Sequence, residues 1–85
     1  MIVFHRKFLK QQSKFSPSIQ FHIQERIGLF IDTPSNPLLN THALHHPYEN
    51  CFSINISGNI RAVYELQENG DILFIRVGTH SELYK

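Results

Sequence analysis

The sequence predicts an α+β domain in which two helices pack on one face of an antiparallel sheet. Apolar residues recur at helical spacing between residues 19 and 31, and they alternate with polar residues between residues 51 and 77. Turn sequences separate the alternating segments, which is the pattern of strands joined in sequence order. With 85 residues and no repeat or linker, the chain has room for one domain, residues 1–85.

The first third of the chain predicts a short strand followed by two helices. Ile2–Phe4 is an apolar segment with β-branched residues, and His5–Gln12 mixes apolar with basic and amide residues. Ser16 and Pro17 form a helix start, with serine as the N-cap and proline at the first helical position. The second helix carries one apolar stripe, which consists of Ile19, Ile23, Ile27, Phe30 and Ile31.

The remainder of the chain predicts a loop and then a three-stranded meander. Helical periodicity ends at Thr33-Pro34, because proline keeps the preceding residue out of the α region. Residues 35–50 contain two further prolines and are expected to form a loop or one short turn. The expected strands are residues 51–57, 60–66 and 72–77, joined by turns at 57–59 and 68–71, with Gly78 ending the last strand.

One face of this meander is expected to carry polar and charged side chains, because successive residues of a strand point to opposite faces. The expected outward residues of the first two strands are Ser53, Asn55, Ser57 and Arg61. The expected inward residues of the third strand are Leu73, Ile75 and Val77, and the expected outward ones are Ile72, Phe74 and Arg76. His42 from the loop and His80 from the tail can reach the edge of this outward face.

Composition excludes several classes of protein. Hydrophobic residues make up 41% of the chain, which is too much for a disordered protein. A single cysteine, Cys51, excludes an internal disulfide and therefore a cystine-stapled secreted domain. No apolar run approaches the roughly 20 residues that span a bilayer, and the N-terminus lacks the charge order of a secretory signal. We therefore expect a cytoplasmic protein that makes no membrane contact.

Positive charge is concentrated at the start of the chain. Residues 1–14 contain four cations and no acid, whereas the remaining residues contain four cations and seven acids. Such a basic segment is typical either of a surface that binds an anionic partner or of a solvated helix face. The chain also has six histidines, whose side chains exchange protons near neutral pH.

Single features of the sequence suggest two other kinds of site, a metal site and a thiol nucleophile. His42, His45 and His46 could contribute metal ligands, but Cys51 and His80 do not complete the ligand spacing of a zinc site. Cys51 could act as a nucleophile with a histidine base, although its place at the start of an apolar strand favours a packed thiol. The motifs of phosphate loops, zinc proteases and serine hydrolases are missing from the sequence. We expect neither a metal nor a cofactor.

The remaining polar residues suit the cleavage of RNA through attack by its 2′-hydroxyl. That reaction needs a base, an acid for the leaving 5′-oxygen and cations beside the phosphorane, which histidine and arginine supply without a metal. Tyr84 adds a hydroxyl and a ring that can stack on a base. The candidate catalytic residues are His42, Arg61, Arg76, His80 and Tyr84. Structural explanations remain open, such as an ion pair of Arg76 with Glu65 or an anchoring role for Tyr84.

Three segments carry a family resemblance. Asn40–Leu44 contains an H-x-L motif before the sheet, Gly58–Tyr64 is similar to G-D-x-R-x-V-Y, and Arg76–Tyr84 is very similar to G-T-H-x-x-L-[FY]. Together and in this order they resemble the RelE/ParE superfamily of bacterial type II toxin–antitoxin toxins, and within it the YafQ-like mRNA interferases. The resemblance covers essentially the whole chain.

The resemblance implies a toxin that enters the ribosomal A site, cuts mRNA without a metal and is held inactive by a cognate antitoxin. It also implies that the toxin–antitoxin complex can bind operator DNA through the antitoxin. By motif, His42, Arg76, His80 and Tyr84 match active positions of YafQ-like members, and Arg61 matches an arginine used by RelE-like members. The candidate RNA-binding residues are Arg6, Lys7, Lys10, His45, His46, Asn55 and Asn59.

Two departures from the family pattern leave alternatives open. Asn55 stands where YafQ-like toxins have a second sheet histidine, and Asn59 stands where they have an aspartate. Since an asparagine side chain cannot act as a base, the chain could be a catalytically weakened relic that only binds an antitoxin. A ParE-like toxin that binds DNA gyrase without hydrolysis is the other alternative, and the presence of His42 and His80 argues against it.

Overall fold

The computed structural model describes residues 1–84 and has five strands in one sheet with the order β1-β5-β4-β3-β2. The strands are β1 (Ile2–Phe4), β2 (His42–Ala43), β3 (Cys51–Ser57), β4 (Ile60–Leu66) and β5 (Ile72–Thr79). The helices are α1 (Arg6–Ser13), α2 (Pro17–Asp32) and α3 (His80–Leu83), with a 3-10 turn at Pro37–Leu39. The predicted α+β class, with a meander formed by β3, β4 and β5, is confirmed.

The sheet is mixed, not wholly antiparallel as the sequence suggested. β1 runs parallel to β5, pairing Ile2 with Ile72 and Phe4 with Phe74, whereas the other neighbouring strands are antiparallel. A parallel neighbour requires a crossover connection. Here α1, α2 and the first strands of the meander lie between β1 and β5 in the chain.

Local capping explains where the first two helices begin. The His5 side chain accepts a hydrogen bond from the Lys7 amide at 3.0 Å, so α1 starts one residue later than expected. Ser16 accepts from the Ile19 amide at 3.3 Å and Pro17 occupies the first turn of α2, as predicted. α2 ends at the predicted boundary, with Thr33 as its C-cap.

An aromatic cluster fills the core between the helices and the sheet. Phe74 is fully buried at its centre, with its ring centroid 5.6 Å from those of Phe4 and Tyr64 and 5.7 Å from those of Phe8 and Phe30. The inward side chains of β3 and β4 complete this core, as alternation predicted; those with less than 9% exposure are Ile54, Ile56, Ile60, Ala62 and Tyr64. Both α1 and α2 therefore cover the same face of the sheet.

A β-bulge in β5 contradicts the predicted inward and outward residues of the third strand. Val63 pairs with Arg76 while its neighbour Tyr64 pairs with Phe74, so Ile75 is an extra residue in β5. Phe74 and Val77 both join the core on the helix side. Ile75 instead packs on the opposite face with Cys51, Val63 and Leu83. The expectation that Phe74 and Ile72 point outward is wrong, because strict alternation does not hold across a bulge.

The segment after α2 and the C-terminus are more ordered than expected. The 3-10 turn at Pro37–Leu39 buries Leu39, and the chain then forms the two-residue strand β2, which pairs with β3. β5 continues through Gly78 to Thr79, and α3 follows it directly. Within residues 1–84, no helix combines the length and apolar character needed to cross a membrane.

Replacing Phe74 with alanine tests the β5 register. Because Phe74 is fully buried among four other rings, Phe74→Ala should lower the free energy of unfolding by about 3–5 kcal/mol, measured by urea denaturation. Phe21, which is 66% exposed on α2, is the matched control, and Phe21→Ala should change stability by about 0.5 kcal/mol or less. Equal stabilities of the two variants would contradict the inward placement of Phe74.

Candidate functional site

A cleft of about 560 Å³ opens on the sheet face opposite α1 and α2. Its wall is built from five parts of the chain: the turn before β2, β2 itself, the loop after β2, the outward side of β3 and β4, and the C-terminal helix with the residue that follows it. The lining residues are Asn40, His42, Ala43, Leu44, His45, His46, Tyr48, Ser53, Arg61, His80 and Tyr84.

His42 is held on both sides of its ring. β2 places it directly across from Ser53 on β3. Its Nδ1 lies 2.9 Å from the Asn40 carbonyl oxygen and its Nε2 lies 3.3 Å from the Ser53 hydroxyl. Asn40 has a positive φ of 44°, which turns its carbonyl toward the ring at the end of the 3-10 turn. The imidazole is thus fixed in orientation, while His42 as a whole remains exposed.

Arg61 provides the positive charge of the cleft. It lies on β4 opposite Asn55, and its guanidinium donates to the carbonyl oxygens of Gly58 at 2.7 Å and of Ile60 at 3.1 Å. Among residues 1–84 it forms no ion pair with a carboxylate. Beside it, the Asn55 Oδ1 atom is buried and has no hydrogen-bond partner among the described residues. The cation is therefore supported by neutral groups and keeps its charge available to an anion.

The turn between β3 and β4 and the capping of α3 place His80. The Asn59 carbonyl accepts a hydrogen bond from the His80 amide at 3.0 Å. Thr79 caps the helix by accepting from the Glu82 amide, and the Glu82 side chain accepts from the Thr79 amide in return. Gly78 leaves space for α3 to lie close to β5, because a Cβ atom at this position would be only 3.2 Å from Glu82 Oε1.

Tyr48 connects the loop after β2 with Leu83 and Tyr84. Its hydroxyl donates to the Leu83 carbonyl oxygen at 2.7 Å, and its ring meets that of Tyr84 edge-on at 5.8 Å. Leu83 packs against Cys51 and Val63 on the outward face of the sheet. These contacts leave Tyr84 beside His80, with 4.7 Å between the two ring centroids.

The phenol of Tyr84 is protonated at neutral pH. Burial is the largest effect on this group and raises the pKa of Tyr84 above its usual 10.0. The group therefore offers a hydrogen-bond donor to the cleft.

Cys51 is a packed thiol. It is 4% exposed, its Sγ donates to the Glu49 carbonyl oxygen at 3.4 Å, and burial together with Glu65 raises its pKa above 9.0. A thiol nucleophile needs a lowered pKa and exposure. The arrangement therefore favours the packing role among the two that the sequence left open.

The family can be assigned by comparison with known proteins. Residues 2–84 match a family described as ParE toxin of type II toxin-antitoxin system, parDE. The chain belongs to this toxin family. The match spans nearly the whole chain and confirms the resemblance to the RelE/ParE superfamily. No curated protein matches the chain in sequence.

Solved structures of superfamily toxins share the fold. YafQ from E. coli strain BL21(DE3) has a TM-score of 0.81 at 18% identity, covering 100% of this chain and 98% of YafQ. The RelB–RelE antitoxin–toxin complex of Methanococcus jannaschii has a TM-score of 0.73 at 24% identity, covering 96% of this toxin and 94% of the matched chain. The intact E. coli RelBE complex has a TM-score of 0.68 at 17% identity, with 93% and 94% covered.

The fold of the toxin brings some of the sequence-predicted residues together and separates others. His42, His45, His46, Arg61, His80 and Tyr84 all line the cleft. Asn55 lies beside it on β3, and Asn59 holds His80 through its backbone. Arg76 lies on the outward face, in the same cross-strand row as His42. Three strand spacings, or about 14 Å, separate the two residues. It makes no ion pair with Glu65 in the described residues.

The basic residues of the toxin's first helix lie on the other side of the sheet. Arg6, Lys7 and Lys10 are exposed on α1, whose buried Phe8 packs into the core on the helix side. Gln11 of α1 bonds to the Val77 amide at 2.9 Å, so this helix borders the edge of β5 beyond the end of β1. The α1 cations are therefore not part of the cleft.

Two residues of the site carried no functional signal in the sequence. Tyr48 lies in the proline-containing loop, and its bond to Leu83 joins residues 35 positions apart. Ser53 was expected to be outward, but its link to His42 depends on β2, which alternation over two residues cannot predict. Within residues 1–84, no three histidine, cysteine or acidic side chains are grouped so that they could hold a metal ion.

Removing the Tyr48 hydroxyl should loosen the C-terminal wall of the cleft. Tyr48→Phe leaves the Leu83 carbonyl without its donor and should lower the free energy of unfolding by about 1 kcal/mol. Amide hydrogen exchange in α3 should accelerate at the same time. Tyr64→Phe is the control, because the Tyr64 hydroxyl has no hydrogen bond within residues 1–84. Unchanged exchange in Tyr48→Phe would show that α3 is held by other contacts.

Proposed function

We propose that this toxin is an endoribonuclease that cleaves mRNA at the ribosome without a metal ion and thereby inhibits translation. The observation that carries the proposal is the cleft, whose lining brings two of its four histidines together with its one arginine and one of its two tyrosines. These are His42, His80, Arg61 and Tyr84. They come from β2, β4 and the C-terminal segment, and hydrogen bonds fix the imidazole of His42 and the backbone of His80.

The chemistry requires one proton to leave the substrate and one to be returned. A base takes the proton of the 2′-hydroxyl, the 2′-oxygen bonds to phosphorus, and the bond from phosphorus to the 5′-oxygen breaks. An acid then gives that oxygen a proton, leaving a 2′,3′-cyclic phosphate and a 5′-hydroxyl. His42 and His80 serve as the base and the acid, and the Arg61 guanidinium stabilises the charge on the phosphorane.

Tyr84 contributes through its protonated phenol and its ring. The phenol, kept neutral by burial, can donate a hydrogen bond to a phosphate oxygen. Its contact with His80 leaves a mixed imidazole and phenol surface on which a nucleobase can stack. His45 and His46 also line this cleft and are proposed RNA contacts. Asn55 and Asn59 are proposed to flank the RNA near Arg61.

The basic residues of α1 supply a second, sequence-independent contact to RNA. Arg6, Lys7 and Lys10 are exposed, and none of them pairs with a carboxylate within residues 1–84. Because α1 lies across the sheet from the cleft, RNA that contacts both would pass around the edge of β5. Arg76 lies on β5 between them and is proposed to bind a phosphate on this path.

A cognate antitoxin is the proposed protein partner. The family description names a type II toxin–antitoxin system. Structural neighbours include the DinJ–YafQ complex from E. coli and the RelB–RelE complex from Methanococcus jannaschii. We propose that the antitoxin inhibits this toxin, and that their complex contacts operator DNA through the antitoxin.

Binding to DNA gyrase without hydrolysis is the second candidate function. The family description carries the name ParE, which favours this candidate. The cleft favours the ribonuclease, because a protein that acts by binding alone has no need of two positioned histidines beside an unpaired arginine.

Expression in cells separates the candidates. Wild-type toxin should arrest growth, fragment mRNA and leave plasmid supercoiling unchanged, and His80→Ala should slow RNA cleavage by about 10²- to 10⁴-fold. His22→Ala, on α2 away from the cleft, is the control and should cleave like the wild type. Growth arrest with intact mRNA and altered supercoiling would favour the gyrase candidate. Absence of arrest would favour a relic that only binds an antitoxin.

Neutralising α1 should weaken RNA binding without slowing the chemical step. Lys7→Gln combined with Lys10→Gln should raise KM, leave kcat unchanged and make the slope of log affinity against log salt shallower by about 1.4–1.8. The control is Ser18→Glu combined with Ser35→Glu, which lowers the net charge by the same amount at exposed positions outside α1. This control should keep the wild-type slope. Equal slopes for both double variants would show that α1 makes no specific phosphate contact.

A further inference from the structure

The first strand leaves one edge of the sheet unpaired. β1 is at the end of the strand order and pairs with β5 alone. At its two ends, the Met1 carbonyl accepts from the Ile72 amide at 3.0 Å and the His5 amide donates to the Phe74 carbonyl at 2.8 Å. Residues 1 and 5 therefore direct these backbone groups toward β5, and the other edge of β1 is open to a further strand.

The free hydrogen-bonding groups of this edge belong to Ile2 and Phe4. Backbone groups of successive strand residues point to opposite edges, so residues 2 and 4 face away from β5 when residues 1 and 5 face it. Within residues 1–84, neither residue has a backbone hydrogen bond outside the pairing of β1 with β5. The edge thus offers two donors and two acceptors, placed symmetrically about Val3.

This spacing is complementary to itself. If a second copy of β1 runs antiparallel with Val3 on the twofold axis, Ile2 pairs with Phe4 of the second copy, and Phe4 with its Ile2. Each pair exchanges two hydrogen bonds, so all the free groups of the two edges are satisfied. The two Val3 residues form the non-hydrogen-bonded pair between them, with Cα atoms about 4.5 Å apart. A twofold contact of this kind uses the same surface on both copies.

The outward face beside this edge has room and apolar surface for a second side chain. Val3 is 39% exposed and lies in a cross-strand row with Leu73 and Glu65. An open cavity of about 740 Å³ adjoins this row, and Leu66, which is 48% exposed, also lines it. The Val3 side chain of a second copy would therefore add apolar contact at the twofold axis.

The two ends of the edge carry opposite charge. Where β1 begins, the neighbouring acidic residues are Glu65 at the end of β4 and Glu68 and Asp71 in the turn before β5. Where β1 ends, Arg6 and Lys7 begin α1, and neither pairs with a carboxylate within residues 1–84. Antiparallel pairing brings the basic end of each copy to the acidic end of the other. Two strand spacings, about 10 Å, separate β5 from the second copy's β1, a gap that a long cationic and an acidic side chain can span together.

We propose that the free edge of β1 binds a second copy of this toxin, joining two five-stranded sheets into one. A second copy fits better than an unrelated strand because the free backbone groups are symmetric about Val3 and the charges at the two ends are opposite. The cleft is lined by β2, β3, β4 and the C-terminal segment and by no residue of β1, so both copies keep it open. The inference does not depend on the proposed ribonuclease activity.

Sedimentation velocity at increasing concentrations of the full chain measures the association. Wild-type toxin should show a monomer–dimer equilibrium that weakens as salt is added, because salt screens the charges at the two ends. Val3→Glu places like charges opposite each other and should raise the dissociation constant by about tenfold or more. Ile31→Glu adds the same charge at a 58% exposed apolar residue of α2 and should keep the wild-type value. Wild-type toxin that stays monomeric at every concentration in low salt would overturn the inference.

Val3→Cys tests the position of the twofold axis. A residue on the axis meets its own copy, and a Cα separation of about 4.5 Å lies within the range of disulfides. Mild oxidation should therefore convert Val3→Cys into a covalent dimer on a non-reducing gel. Ile31→Cys, treated in the same way, should stay largely monomeric, and the natural Cys51 is only 4% exposed. Equal yields of covalent dimer from the two variants would count against the β1 contact.

A strand of the antitoxin is the alternative occupant of this edge, and hydrogen exchange separates the two. In the toxin alone, the amides of Ile2 and Phe4 should exchange more slowly as its concentration rises. If these amides are protected only in the toxin–antitoxin complex, the edge belongs to the antitoxin and the inference is wrong. A toxin that dimerises through β1 but cleaves no RNA would refute the proposed function and leave this inference standing.

Discussion

The β-bulge in β5 is the constraint on which both faces of the sheet depend. A regular strand with Phe74 inward would also turn Arg76 into the core and Val77 out of it. Burying an unpaired guanidinium costs far more than the roughly 1.5–3 kcal/mol gained by burying one large apolar side chain. Because Ile75 is an extra residue opposite Val63, Phe74 and Val77 both face the helices while Arg76 stays on the outward face. The extra residue therefore allows the aromatic side chain to be buried while the arginine stays on the surface.

The outward face becomes a cleft only because the C-terminus folds back across it. β5 ends at Thr79, whose capping box begins α3, and Gly78 provides the space in which Glu82 and Leu83 approach the strand. The bond from Tyr48 to Leu83 then connects this segment to the loop that follows β2. Each contact is local or modest in energy, but together they bring residues 42, 61, 80 and 84 to one cavity. The site therefore depends on tertiary contacts more than on any single strand.

Much of this structure follows from the sequence, and the exceptions have physical causes. Helix caps, the alternation of β3 and β4 and most of the apolar stripe of α2 depend on neighbouring residues, so they could be predicted. Ile31 is the exception in the stripe, because it is 58% exposed. The register of β5 could not be predicted, because Leu73, Ile75 and Val77 alternate as regularly as buried residues do. Packing against other rings, such as those of Phe4 and Phe8, is what places Phe74 in the core. In the site, alternation identified Ser53 and Arg61 as outward. The partners of Ser53 could not be predicted, because β2 forms only by pairing with β3.

The two asparagines that depart from the family pattern affect the cleft unequally. Asn59 holds His80 through its backbone carbonyl, a contact that does not depend on the side chain. Asn55 places a buried amide oxygen without a hydrogen-bond partner among residues 1–84 at the strand position opposite Arg61. In the proposed reaction one proton leaves the substrate and one returns, so one base and one acid are sufficient. The proposal assigns both roles to His42 and His80, which line a single cavity, and it therefore does not depend on a third acid–base residue.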